Sequence, residues 1–182
     1  MIGEIGTLLT GLALAVSLYA AFAAWRGIHL PAAQGKDWLQ SAQRATNALA
    51  ALLGAALLTL LGAFLTNHFE LSYVAQHSST VIPTYLKISA VWAGQEGSLL
   101  LWCFLQALFA ALATARTSEH ARPLVPWATF FLALITAFFV AVTLFLSSPF
   151  PLLAQVESRA GPAEGLLDLF RLFIFPRLAE NP

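Results

Sequence analysis

Between Ser72 and Trp102 the chain reads SYVAQHSSTVIPTYLKISAVWAGQEGSLLLW, and much of its chemically versatile material falls in this stretch. It holds an imidazole (His77), two phenols (Tyr73, Tyr85), an ammonium (Lys87), a carboxylate (Glu96), a carboxamide (Gln95), a hydroxyl (Ser98) and two indoles (Trp92, Trp102). Such groups can move protons, bind charged partners or stack on flat ligands. They do not compose a catalytic set. No nucleophile stands beside a base, no phosphate loop opens a helix, and no carboxylates are paired for acid–base work. The stretch lies between two long apolar runs, where polar groups are costly unless paired or used. Function is therefore expected on this side of a membrane.

The elements that must position these residues are membrane spans. Hydrophobic residues make up 59% of the chain and charged residues 10%, against about 25% charge in an ordinary soluble domain. Crossing a bilayer takes roughly 20 apolar residues. Four segments, 8–25, 48–66, 98–114 and 124–146, qualify, and none contains Asp, Glu, Lys, Arg or His. The expected fold is an all-α integral membrane protein. It has a four-span bundle over 1–146, an outer connection over 67–97 and a tail over 147–182. The net charge is zero, so no nucleic-acid partner is indicated. The lone Cys103 sits in the third span and makes neither an internal disulfide nor a metal site.

Lys and Arg in the short connections set orientation. The first connection, 26–47, carries Arg26, Lys36 and Arg44, and the third, 115–123, carries Arg116 and Arg122. The second carries only Lys87. That bias places the first and third connections in the cytoplasm, with both termini and the 72–102 stretch outside. In a bacterium the outside is the periplasm. Ala21-Phe22-Ala23 resembles a signal-peptidase site, but the beginning MIGEIG has no basic residue and Arg26 follows the span. A retained first span is expected.

Within the outer connection, Thr80 can cap a helix whose first turn holds Pro83. Thr80, Thr84 and Lys87 would share its polar face, with Tyr85 and Trp92 at headgroup depth as in an interfacial helix. Gly94-Gln95-Glu96-Gly97-Ser98 then reads as a turn. Glu96 and Ser98 have a plain reading as helix starters, through the dipole and a cap. Ala50, Gly54 and Gly62 in the second span, and Gly11 and Ala15 in the first, form small-residue stripes suited to close bundle packing. A transport path is the other use of such spans, but Thr10, Ser17, Thr59, Cys103 and Gln106 are too few and too weak for ion coupling. His29, His68, His77 and His120 show no i, i+4 pairing, so no metal site is expected. Among the four, His77 has the richest polar surroundings in sequence.

Two blocks carry a family resemblance. Tyr73-Val74-Ala75, His77-Ser78 and the longer Trp92, Gly94, Glu96-Gly97-Ser98-Leu99-Leu100-Leu101-Trp102 resemble the N-terminal part of CcmF-type cytochrome c biogenesis proteins. Gln95 departs from the His often found there. The resemblance extends more loosely over the four spans and the Ser147-Ser148-Pro149-Phe150 exit.

The resemblance implies a part in haem lyase assembly at the outer face of a bacterial inner membrane. There haem carried by the chaperone CcmE is joined to apocytochrome c. The tryptophan-rich WWD segment that handles haem in the family is absent, and His68 and His77 do not match the family's haem-ligating histidines. Neither catalytic nor metal-ligating residues are therefore assigned. The motif Tyr73, His77, Trp92, Gly94, Gln95, Glu96, Gly97, Ser98 and Trp102 is expected to position or dock. Haem is expected only through the complete complex, and the partners implied are the WWD-containing remainder, CcmE and apocytochrome c. A four-span scaffold or small transporter unrelated to haem is the alternative. The tail from Gly165 to Leu178 reads as an interfacial helix ended near Pro176. The closing Asn181-Pro182 resembles a family dipeptide just ahead of the haem-handling part, as in a fragment, split gene or truncated frame.

Overall fold

In lipid a backbone without water must satisfy its own hydrogen bonds, and uncharged apolar runs do so as helices. The computed structural model describes residues 1–115, 123–154 and 156. Its helices are α1 (Ile2–His29), α2 (Ala32–Leu65), α3 (Ser72–His77), α4 (Thr84–Ala90), α5 (Gln95–Ala115) and α6 (Val125–Phe145). Four stretches, Ile2–His29, Ala33–Leu65, Gln95–Ala115 and Val125–Phe145, are long and apolar enough to cross a membrane. The protein is thus all-α and multi-pass. The expectations for Arg116, His120, Arg122 and the tail helix fall outside the described residues.

The long helices close a ring in the order α1, α2, α5, α6. Its interior is made of small side chains, with Ala13, Ala20, Ala23, Ala56 and Ala107 fully buried, and larger Leu53, Leu60, Phe64 and Leu100 filling one end. Small residues let helix backbones approach where lipid supplies no hydrophobic drive. A close backbone approach lies at the α1–α2 turn, where a Cβ on Gly35 would lie 2.6 Å from the Gly27 carbonyl oxygen. The expected stripes behave differently. Gly54 meets the Phe104 ring, but Gly11 and Gly62 face open space and Ala15 is exposed. A spacing of four marks a stripe without saying which way it faces.

The first connection also needs correction. Residues 32–47 are helical, so only Leu30 and Pro31 join α1 to α2. Charge ended the apolar window without ending the helix. Lys36, Asp37 and Arg44 lie exposed while Ala42, Ala45 and Leu49 are buried, a helical alternation. At 34 residues, α2 is about 51 Å long, well beyond the roughly 30 Å hydrocarbon layer. Its first turns therefore stand clear of the membrane. Arg26 lies over the Trp38 ring there, 5.7 Å from its centroid.

The hydroxyls inside the bundle are engaged by their own helices. Thr10 donates to the Gly6 carbonyl at 2.8 Å, Thr59 to Ala55 at 2.8 Å and Thr136 to Leu132 at 2.7 Å.

One end of the ring is tied shut. Asn67 follows α2 in the left-handed region (φ 56°). His68 N–H reaches the Ala63 carbonyl at 3.0 Å and Asn67 N–H the Phe64 carbonyl at 3.4 Å. That is the Schellman pattern of helix ends. Past α6 the chain turns back. Phe150 is buried against Gly3 and Gly6, and a Cβ on Gly6 would lie 2.2 Å from its ring. Ser72 N–H donates to Pro151 and Leu153 N–H to Glu70, around an antiparallel bridge between Leu71 and Leu152. The start of α1, the α2–α5 connection and the α6 exit thus share one end.

Candidate functional site

At that end α3 brings Tyr73 and Val74 into the core. The Tyr73 ring meets Phe64 edge-on at 5.6 Å between centroids. Its hydroxyl accepts a hydrogen bond from Gly94 N–H at 3.0 Å and donates to the Val91 carbonyl at 3.1 Å. One phenol therefore binds α3 to the turn between α4 and α5. Burial pushes this phenol above its ordinary value, the Gly94 N–H draws it down, and the nearby Glu96 charge raises it further. It stays protonated at neutral pH and keeps its donor to Val91.

His77 stacks on Tyr73 at 4.5 Å between ring centroids. Its Nδ1 lies 3.0 Å from the Tyr73 carbonyl. A carbonyl only accepts, so Nδ1 is the donor in this contact. The ring's Nε2 packs against Gly94, 2.7 Å from where a Cβ would stand. Gly97 is tighter still, with its missing Cβ 1.8 Å from the Val91 carbonyl oxygen. Both glycines serve close packing, where the sequence suggested only a turn.

Three expectations change. Helix α5 begins at Gln95, so Ser98 lies inside its first turn and donates to the Trp92 carbonyl at 2.8 Å instead of capping. Helix α4 begins at Thr84 with Pro83 at its N-cap, and Thr80 plays no such part. Lys87, expected on an outer polar face, is buried and donates from Nζ to Asn67 Oδ1. A long amphipathic stem can turn inward when its head finds a partner. Tyr85, Leu86, Ile88 and Trp92 remain exposed.

The motif residues therefore divide. Tyr73, His77, Gly94 and Gly97 pack together, with the half-buried Glu96 carboxylate beside them. Glu96 has no hydrogen-bond or ion-pair partner among the described residues and is left able to accept one. Gln95 points elsewhere, toward Ser147 Oγ at 3.4 Å. Trp102 stands outward on α5, 68% exposed. The sequence reading missed Asn67 and Val91, and named Phe150 only within the exit block, without its place in the core. An Asn just past a helical run signals a left-handed end, but nothing local marks the other two. Among the described residues no cluster of three His, Cys, Asp or Glu side chains could hold a metal ion. The arrangement braces a turn and leaves one carboxylate able to accept a hydrogen bond and the Trp92 and Trp102 indoles exposed.

No protein-family model matches the chain. It is 37% identical over 153 residues to the cytochrome c-type biogenesis protein CcmF of Haemophilus influenzae, covering 82% of this chain and 23% of that protein. It is 34% identical over 189 residues to the cytochrome c-type biogenesis protein ccl1 of Rhodobacter capsulatus, covering 100% of this chain and 26% of that one. Among solved structures it resembles the cytochrome c heme lyase CcmF with a TM-score of 0.74 and 32% identity, over 82% of this chain and 25% of that chain. The chain thus spans about a quarter of the length of the curated relatives it matches.

Proposed function

Because the chain belongs to the CcmF-type family of cytochrome c-type biogenesis proteins, we propose that it is the N-terminal bundle of a haem lyase assembly, holding a docking turn on the periplasmic side. The observation that carries this reading is the Tyr73 hydroxyl, which joins α3 to the turn before α5 and sets Glu96 and Trp92 at one end of the bundle. The proposed partners are the WWD-containing remainder of the lyase, the chaperone CcmE and apocytochrome c, beside the lipid of the inner membrane. This chain positions and does not catalyse.

Haem does not fit the histidine at this turn. His77 Nδ1 is held by the Tyr73 carbonyl and Nε2 faces the Gly94 backbone at close range, so iron could reach Nε2 only by displacing this turn, and stable haem usually takes two strong axial ligands. The chain expressed alone in membranes is expected to give no sharp Soret band on haem titration. A stoichiometric bis-histidine spectrum lost on changing His77 would overturn that reading.

Replacing Glu96 by Ala in the complete system is expected to lower cytochrome c maturation about ten-fold or more, the effect of losing one hydrogen bond to a charged group at about 1.5–3 kcal/mol. Haem absorbance of the purified complex should stay nearly unchanged. Loss of that absorbance with normal assembly would make Glu96 part of the haem site, and unchanged maturation would remove its docking role.

The orientation proposal rests on the Lys and Arg bias. The α1 start, the outer connection and the α6 exit share one end, so the bias assigns all three to the same side. Single cysteines at the exposed positions Lys36 and Val81, in a chain with Cys103 changed to Ala, test it. A membrane-impermeant maleimide should label position 81 in intact spheroplasts and position 36 only after permeabilisation. The reverse pattern would invert the topology.

A further inference from the structure

Gln106 is set apart from the other polar side chains of the spans. It lies midway along α5 (Gln95–Ala115), about 15 Å from either end at 1.5 Å per residue. A carboxamide at that depth cannot reach the headgroups. The hydroxyls of Thr10, Ser17, Thr59, Thr129, Thr136 and Thr143 all bond to carbonyls of their own helices. Gln43 reaches across to the Thr114 carbonyl at 2.8 Å. Gln106 is half-exposed and has no hydrogen-bond partner among the described residues. On a helix it shares the outward side with Trp102 and Phe109, one turn before and one turn after, which are 68% and 64% exposed. The buried side of α5 is a different one, made by Leu100, Cys103, Ala107 and Ala110.

An unpaired amide in hydrocarbon is costly. Lipid offers it no partner, whereas a neighbouring helix does. The outward faces of the flanking helices differ: Ala51, Leu58 and Leu65 on α2, and Phe131, Phe138 and Phe145 on α6, are apolar and suit lipid. The relatives carry about three quarters of their length beyond what this chain matches. We propose that the face of α5 formed by Trp102, Gln106 and Phe109 seats a transmembrane helix that is not a copy of this chain and that gives Gln106 a hydrogen bond at mid-bilayer depth. The inference rests on reading the chain as one part of a larger membrane assembly.

The test places a photo-crosslinking benzophenone amino acid at position 109 of the full chain in its native membrane. Irradiation should give a discrete adduct to a transmembrane peptide from outside residues 1–182. In parallel, Gln106→Leu should lower recovery of that adduct with the purified chain by about three-fold, the average weight of an interhelical side-chain hydrogen bond in a membrane protein. Adducts to lipid alone, adducts to a second copy of the chain, or unchanged recovery with Gln106→Leu would each overturn the seat. The identity of the captured protein reads the functional proposal separately. A transmembrane peptide from outside cytochrome c maturation would uphold the seat and count against the haem lyase assignment.

Discussion

Gly97→Ala is expected to prevent the protein from accumulating in folded form, while the same change at Gly62 leaves it as stable as before or slightly more so. In an isolated helix both changes should help, because Ala is favoured over Gly by about 1 kcal/mol. Their surroundings reverse the order. A Cβ on Gly97 would stand 1.8 Å from the Val91 carbonyl oxygen and 2.6 Å from the Tyr73 hydroxyl. The Val91 oxygen belongs to the backbone, so relief requires moving the whole turn, and the hydroxyl is held by two hydrogen bonds. Overpacking of a fitted site costs about 1–3 kcal/mol and sometimes more. Here the strain also breaks the Tyr73 bridge. A Cβ on Gly62 meets nothing within 4 Å. Thermal unfolding in detergent, with expression in membranes, compares the two. Equal melting temperatures for the two variants would show that the α4–α5 turn does not press on α5 as described.

Tyr73→Phe keeps the ring against Phe64 and His77 and removes one oxygen. That oxygen serves Gly94 N–H and the Val91 carbonyl together. Leaving a buried polar group unsatisfied costs about 1–3 kcal/mol. Val91 is buried and Gly94 half-buried, so water can rescue the second more readily than the first. The expected loss is about 2 kcal/mol, located at the turn. Lys87 reports it directly, since it is buried with its ammonium on Asn67. Trypsin should cut after Lys87 faster in Tyr73→Phe than in the parent chain. Tyr85→Phe is the control, because that side chain is 69% exposed and its loss should be silent. Equal cleavage of Tyr73→Phe and the parent would mean that the hydroxyl does not hold the turn.

Composition and the uncharged runs were enough to identify an all-α protein with four membrane-crossing helices, because a backbone in hydrocarbon has so few ways to satisfy itself. The blocks around His77 and Glu96 were enough to place it in its family, since many specific side chains recur at fixed spacing. The end of the second span at Asn67 was also legible in principle, from the residue type that tolerates a left-handed backbone.

Directions and distant contacts were decided by the tertiary structure. Lys87 reads as an exposed cation until Asn67, twenty residues earlier, is seen to receive it. Gly94 and Gly97 read as a plain turn until Tyr73 and Val91 fill the space where their side chains would be. Gly11 and Gly62 form packing stripes by spacing and face open space in the bundle. Phe150 gives no local sign that it will lie on Gly3 and Gly6. Periodicity sets which residues share a face of a helix. Which face meets a neighbour, and which carbonyl ends beside which hydroxyl, depend on chain segments far apart in sequence, and only their packing together settles them.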